Sequence, residues 1–203
     1  MPGKRLEAFV AAALALAVVA GGCGTSSTSP SAELAASPTT RDLERFLIRA
    51  NEAPGFSPSG KPETISGVRA FVADLQGTKA DEQRLRDHGF QVFVVQPLEG
   101  PSDAAGVTNV SLFSTEEGAA RELQYLLGNI DNEFPGAKIE RFDVPGLSTA
   151  TGYTAELPDG VKVANVNWSQ GRCVMTLGSQ PPFVDELRAG VRALYERTEG
   201  TCP

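Results

Sequence analysis

Apolar and polar positions alternate with two different periods along this chain, and the switches between them mark its elements. Leu43, Phe46, Leu47 and Ala50 recur at helical spacing from Thr40 to Ala50, ahead of Pro54-Gly55. Residues 55–64 carry two prolines and two glycines and read as loop. Residues 65–76 are open to two readings: Val68, Phe71, Val72 and Leu75 fit a helix, the favoured reading, while the β-branched content allows strand. The polar segment 79–88 predicts another helix, closed by Gly89. Residues 90–96 (FQVFVVQ) and 108–113 read as strands. Ser114 and Glu117 have capping-box spacing, and behind them Ala119, Ala120, Leu123, Leu126, Leu127 and Ile130 form an apolar stripe.

The last third reads as a meander. Strands are expected at 139–144, 150–157, 161–168 and 173–177, with turns at Asp159-Gly160 and Gln170-Gly171. Pro181-Pro182 then breaks the chain before a final helix striped by Val184, Leu187, Val191, Leu194 and Tyr195. Strands joined by short turns pair antiparallel, and one-sided helices must cover a sheet face. The expected fold is therefore α+β: an antiparallel sheet of about six strands with helices packed mainly on one face.

The N-terminus follows another logic. Lys4 and Arg5 precede thirteen apolar residues, Ala8 to Ala20, and then Gly21-Gly22-Cys23. A bilayer span needs about 20 apolar residues, whereas a secretory core of roughly 7–15 fits this run. Residues 1–22 read as a lipoprotein signal peptide, cut so that Cys23 receives lipid. Residues 23–39, rich in Ser, Thr, Pro and Ala, read as a flexible tether, and 40–203 as one domain.

Charge and cysteines sharpen that picture. The chain has 18 basic and 25 acidic residues; without the signal 16 and 24 remain, a net charge of −8. That disfavours nucleic acid, which demands a basic footprint, and leaves the acyl chains on Cys23 to hold the membrane. The expected location is the extracytoplasmic face of the cell membrane. With Cys23 committed, Cys173 and Cys202 form an even pair in an oxidising compartment and are expected to be disulfide-bonded.

Candidate chemistry is sparse. His88 is the single histidine, which excludes metal sites built from several imidazoles; it reads as a ring at a helix C-terminus. No nucleophile elbow or phosphate loop occurs, no catalytic residue is singled out, and no metal or cofactor is expected. Asp131-Asn132-Glu133 reads as solvated loop. Trp168 with Asn165 and Asn167 could make a polar stacking platform for a sugar or peptide. Alternation instead puts Trp168 with Ala164 and Val166 in the core and both asparagines on the solvent face.

Taken with the lipobox and Ser/Thr tether, VTNVSLFSTEEGAARELQYL, VPGLSTATGY and VANVNWSQGRCVMTLGSQ resemble uncharacterised cell-envelope lipoproteins of actinobacteria. The resemblance implies an extracytoplasmic α+β domain similar to Mog1/PsbP-like or extracellular sensor-type domains, and it brings no catalytic residue. The expectation is a non-enzymatic binding or scaffolding domain whose partner is an envelope protein, glycan or lipid. The alternatives are a cell-wall hydrolase using carboxylates and a lipid or glycolipid carrier.

Overall fold

The computed structural model describes residues 40–202, so the signal segment, Cys23 and the tether lie outside the described residues. The period-two segments join in one antiparallel sheet of eight strands. In chain order these are β1 (Ser57–Pro58), β2 (Glu63–Ser66), β3 (Phe90–Glu99), β4 (Ala105–Phe113), β5 (Lys138–Asp143), β6 (Ala150–Glu156), β7 (Lys162–Gln170) and β8 (Cys173–Gln180). Their spatial order is β1-β3-β4-β8-β7-β6-β5, with β2 beside β1 on the free edge of β3. The two extra strands are the short edge pieces β1 and β2, from segments that read as loop and helix.

Among the described residues the helices are α1 (Thr40–Glu44), α2 (Val68–Asp74), α3 (Lys79–Asp87), α4 (Glu116–Gly128), α5 (Ile130–Glu133) and α6 (Val184–Arg197). Four of them, α2 to α5, share one sheet face through Phe71, Leu85, Leu123 and Ile130. The reverse face is not bare, however. It is closed by α6, through Leu187, Val191 and Leu194, and by the chain from α1 onward, through Leu43, Phe46, Leu47 and Ile48. Each such aliphatic side chain, fully buried, contributes on the order of 2 kcal/mol. Arg197 at the end of α6 holds the N-terminal segment down, pairing with Glu52 and donating to the carbonyl of Leu47 at 2.8 Å.

Two helix starts differ from expectation in detail. Thr115, not Ser114, caps α4, its hydroxyl accepting from the N–H of Gly118 at 3.0 Å. Ser114 instead gives its N–H to the carbonyl of Gly89, prolonging the β3–β4 pairing. A true capping box occurs at α3, where Thr78 and Asp81 each bond the other's backbone N–H. Gly89, at φ +76°, makes the left-handed exit from α3.

Cys173 and Cys202 are bonded, with Cα atoms 5.9 Å apart, inside the usual disulfide range. The bridge ties the chain beyond α6 to the start of β8. Beside it the Gln170 amide, oriented with its oxygen inward, accepts from the N–H groups of Thr201 at 2.7 Å and Gly200 at 3.1 Å.

Candidate functional site

Polar side chains are concentrated under α4, on the sheet face that the helices cover. Asn109 on β4, Thr176 on β8 and Asn167 on β7 stand in register across three strands. The Thr176 hydroxyl donates to Asn167 at 2.8 Å, and Asn165 donates to the Tyr153 hydroxyl at 3.2 Å. Asn109, 7% exposed, makes no side-chain hydrogen bond among the described residues. Two positions further along β4, Ser111 presents its hydroxyl on the same face, half-buried.

Glu122 of α4 closes this floor from above and is only 4% exposed. One of its oxygens accepts from Arg84 at 2.6 Å, and the other meets His88 Nδ1 at 2.8 Å. An ionised carboxylate is acceptor only, so Nδ1 carries the proton in that contact. Arg84 also reaches Asp81 at 3.4 Å and stacks on Tyr125, 3.8 Å from the ring centre. Its Nε is buried with no partner. The α3–α4 approach that makes these contacts possible depends on Gly118, where a Cβ would collide with the carbonyl of His88. Arg121 donates to the Asp87 carbonyl at 2.9 Å and reinforces the same junction.

Between floor and roof lies a partly open chamber with Phe71, Phe93 and Phe113 on its walls and an unfilled volume of about 30 Å³. A second concavity, a wide crevice along the β5–β6 loop at residues 143–151, gathers no buried polar side chain.

Near the chamber, burial pushes Glu133 up to about 8; Arg84 opposes that rise and Glu122 adds to it. Burial also raises the Tyr125 hydroxyl, with Arg84 opposing. Burial and then Glu133 raise the Tyr153 hydroxyl, against the Asn165 and Asn167 amides. Between about pH 4.5 and pH 8 the folded chain therefore keeps a proton on Glu133 that the unfolded chain releases. Stability falls as pH rises through that window. Glu133→Gln is expected to flatten this slope, melting above the wild type at alkaline pH and level with it near pH 4. Thermal unfolding across pH checks it.

The residues singled out from sequence are distributed differently from a shared platform. Trp168 is fully buried on the α6 face, packed with Val166 and Met175. Asn165 and Asn167 lie on the opposite face, but buried at 4% and 7% exposure instead of facing solvent. Trp168 and the asparagines thus cannot contact one ligand from the same side. His88 does more than meet a helix dipole, since it binds Glu122. Glu133 lies in a short helix instead of a solvated loop. Glu122 is the residue the sequence reading missed. Its signal was a carboxylate between Ala119 and Leu126, inside the apolar stripe of α4.

Among the described residues no cluster of three or more His, Cys, Asp or Glu could hold a metal ion, and no helix is long and apolar enough to cross a membrane. No family model matches the chain, nor does any curated protein sequence.

The architecture is an α+β fold shared with a solved mycobacterial structure. The solved structure that carries this comparison is the extracellular domain of PknH from Mycobacterium tuberculosis. It aligns with a TM-score of 0.53 and 14% identity, over 80% of this chain and 97% of that one. The Mycobacterium smegmatis ortholog of Rv0999 aligns over 70% of this chain and 90% of its own, at 12% identity and a TM-score of 0.36. At such identities the PknH likeness establishes a shared fold and says nothing of chemistry.

Proposed function

We propose that this chain is an extracytoplasmic lipoprotein, anchored through acylated Cys23, whose folded domain binds a ligand without transforming it. The observation that carries the binding role is Asn109, nine-tenths buried, reachable from the chamber and bonded to no other side chain. Its amide atoms are not cut off from solvent as Arg84 Nε and Trp168 Nε1 are, so what completes their hydrogen bonds reaches them through the chamber. The PknH likeness supports an extracytoplasmic setting through the fold alone.

The other readings fit the chamber less well. A hydrolase needs a carboxylate free to exchange a proton with substrate. Glu122 is the carboxylate that lines the chamber, and both of its oxygens are held. A carrier of acyl chains needs an enclosed apolar cavity of roughly 300 Å³ or more; the chamber has about 30 Å³, and the crevice at residues 143–151 is open to solvent.

Two measurements test the proposal. Fractionation of the native host should place the wild-type chain in the membrane and Cys23→Ala in the soluble fraction, with the acyl mass on the N-terminal peptide of the former alone. Native mass spectrometry of the mature chain should show a retained small molecule that Asn109→Leu loses. A wild-type chain found wholly soluble would sink the anchor, and turnover of a cell-wall substrate would sink the non-enzymatic reading.

A further inference from the structure

We infer that the chamber under α4 is a pocket for the acetamido head of an N-acetylated ligand. This rests on the binding role proposed above and names the chemistry it recognises.

Charge balance narrows the class first. Glu122 is already neutralised by Arg84, with His88 donating to its second oxygen. An incoming anion would face that carboxylate and an incoming cation would displace an established pair, so the chamber favours a neutral group. Size narrows it next. A volume of about 30 Å³ holds roughly two water-sized groups, which suits the small head of an acetamide set against the floor, with the rest of the ligand outside the chamber.

The polar floor then selects an amide. Asn167 and Thr176 are paired with each other, which leaves Asn109 and Ser111. Asn109 offers both a donor and an acceptor, and Ser111 a hydroxyl that can play either part. Together they can take the carbonyl and the N–H of one amide from the same strand face. The walls supply the last element. Phe71 and Phe93, with ring centroids 4.9 Å apart, and Phe113 line the chamber with apolar surface suited to a methyl group.

The acetamido group could belong to an amino sugar or to an acetylated amino acid, and the experiment separates the two. The mature chain is titrated with N-acetylglucosamine and N-acetylalanine, and with glucosamine and alanine as deacetylated controls, following amide signals by NMR. The expected result is saturable binding of at least one acetylated compound in the millimolar range or tighter, no response to its control, and shifts centred on the Asn109 side-chain amide. Asn109→Leu should weaken that binding at least tenfold, about 1.4 kcal/mol, with its melting temperature checked separately. Ser111→Ala, at a half-buried site, should weaken it even if the first variant folds poorly.

Equal response to the deacetylated compounds, or none to any at millimolar concentration, overturns the acetamido assignment. If a different small molecule is retained by the wild type and lost by Asn109→Leu, this inference fails while the binding role stands. An empty wild-type chain that answers no compound removes both.

Discussion

Cys202→Ser is expected to lower the unfolding free energy by roughly 3–4 kcal/mol, because it opens a loop closed across 29 residues of sequence separation. For a domain of this size that corresponds to a fall of about 10 °C in melting temperature. Cys202 is the informative partner to change. Cys173 is fully buried among Trp168 and Met175, so serine there would add an unpaired hydroxyl in the core to the lost cross-link. The residue left by Cys202→Ser is a buried thiol, which behaves as a small hydrophobe. Urea denaturation of the variant beside oxidised and reduced wild type separates the contributions. Reduced wild type and Cys202→Ser should coincide, and Cys173→Ser should fall below both. A loss under about 1 kcal/mol for Cys202→Ser would mean that α6 and the Arg197 clamp alone hold the C-terminus.

The elements that sequence located well are those whose pattern had a single cause. Helix α4 was legible because its apolar stripe runs three turns behind a hydroxyl cap, and α6 because Leu187, Val191 and Leu194 repeat on one side. The pairing of Cys173 with Cys202 was legible from compartment and parity. The first helix misled, since Phe46, Leu47 and Ile48 are consecutive and all buried. Three neighbours in a row span about 200° of a helix, wider than the usual one-sided apolar stripe, and here the chain leaves α1 after Glu44 and continues as packed coil. The segment 65–76 mixed two elements. Gly67, at φ +80°, divides β2 from α2 where the apolar spacing shows no break.

The site was the least legible part, for a reason specific to this sheet. Alternation placed Trp168 correctly away from Asn165 and Asn167, yet it assigned the asparagines to solvent. Period-two patterning reports which residues share a face; it does not report whether that face is covered. Here both faces are covered, and the polar residues of β4, β7 and β8 are buried beneath α4. The same blind spot hid Glu122, because its partners Arg84 and His88 come from a helix 34 or more residues earlier in the chain.

Glu122→Ala should be about as damaging as loss of the disulfide, and for an electrostatic reason. The Arg84 and Glu122 side chains are 12% and 5% exposed, so the pair is largely withdrawn from water. Removing the carboxylate leaves the guanidinium with Asp81 at 3.4 Å and the Tyr125 ring, while its Nε is already unpartnered. Breaking a buried pair from one side costs on the order of 3–5 kcal/mol, chiefly the burden of the stranded charge. That origin makes a distinct prediction. The double variant Arg84→Met with Glu122→Leu, which removes both charges and keeps apolar volume, should recover most of the loss, since well-packed apolar replacements of buried pairs are commonly neutral or stabilising. Urea denaturation of the two single variants and the double gives the coupling energy directly. Additive losses would show that Glu122 acts through packing alone. The double variant also separates stability from recognition. It should be folded, yet its chamber would have an apolar roof where Glu122 stood, so recovered stability with altered ligand affinity would show that the buried charges are kept for the site they enclose.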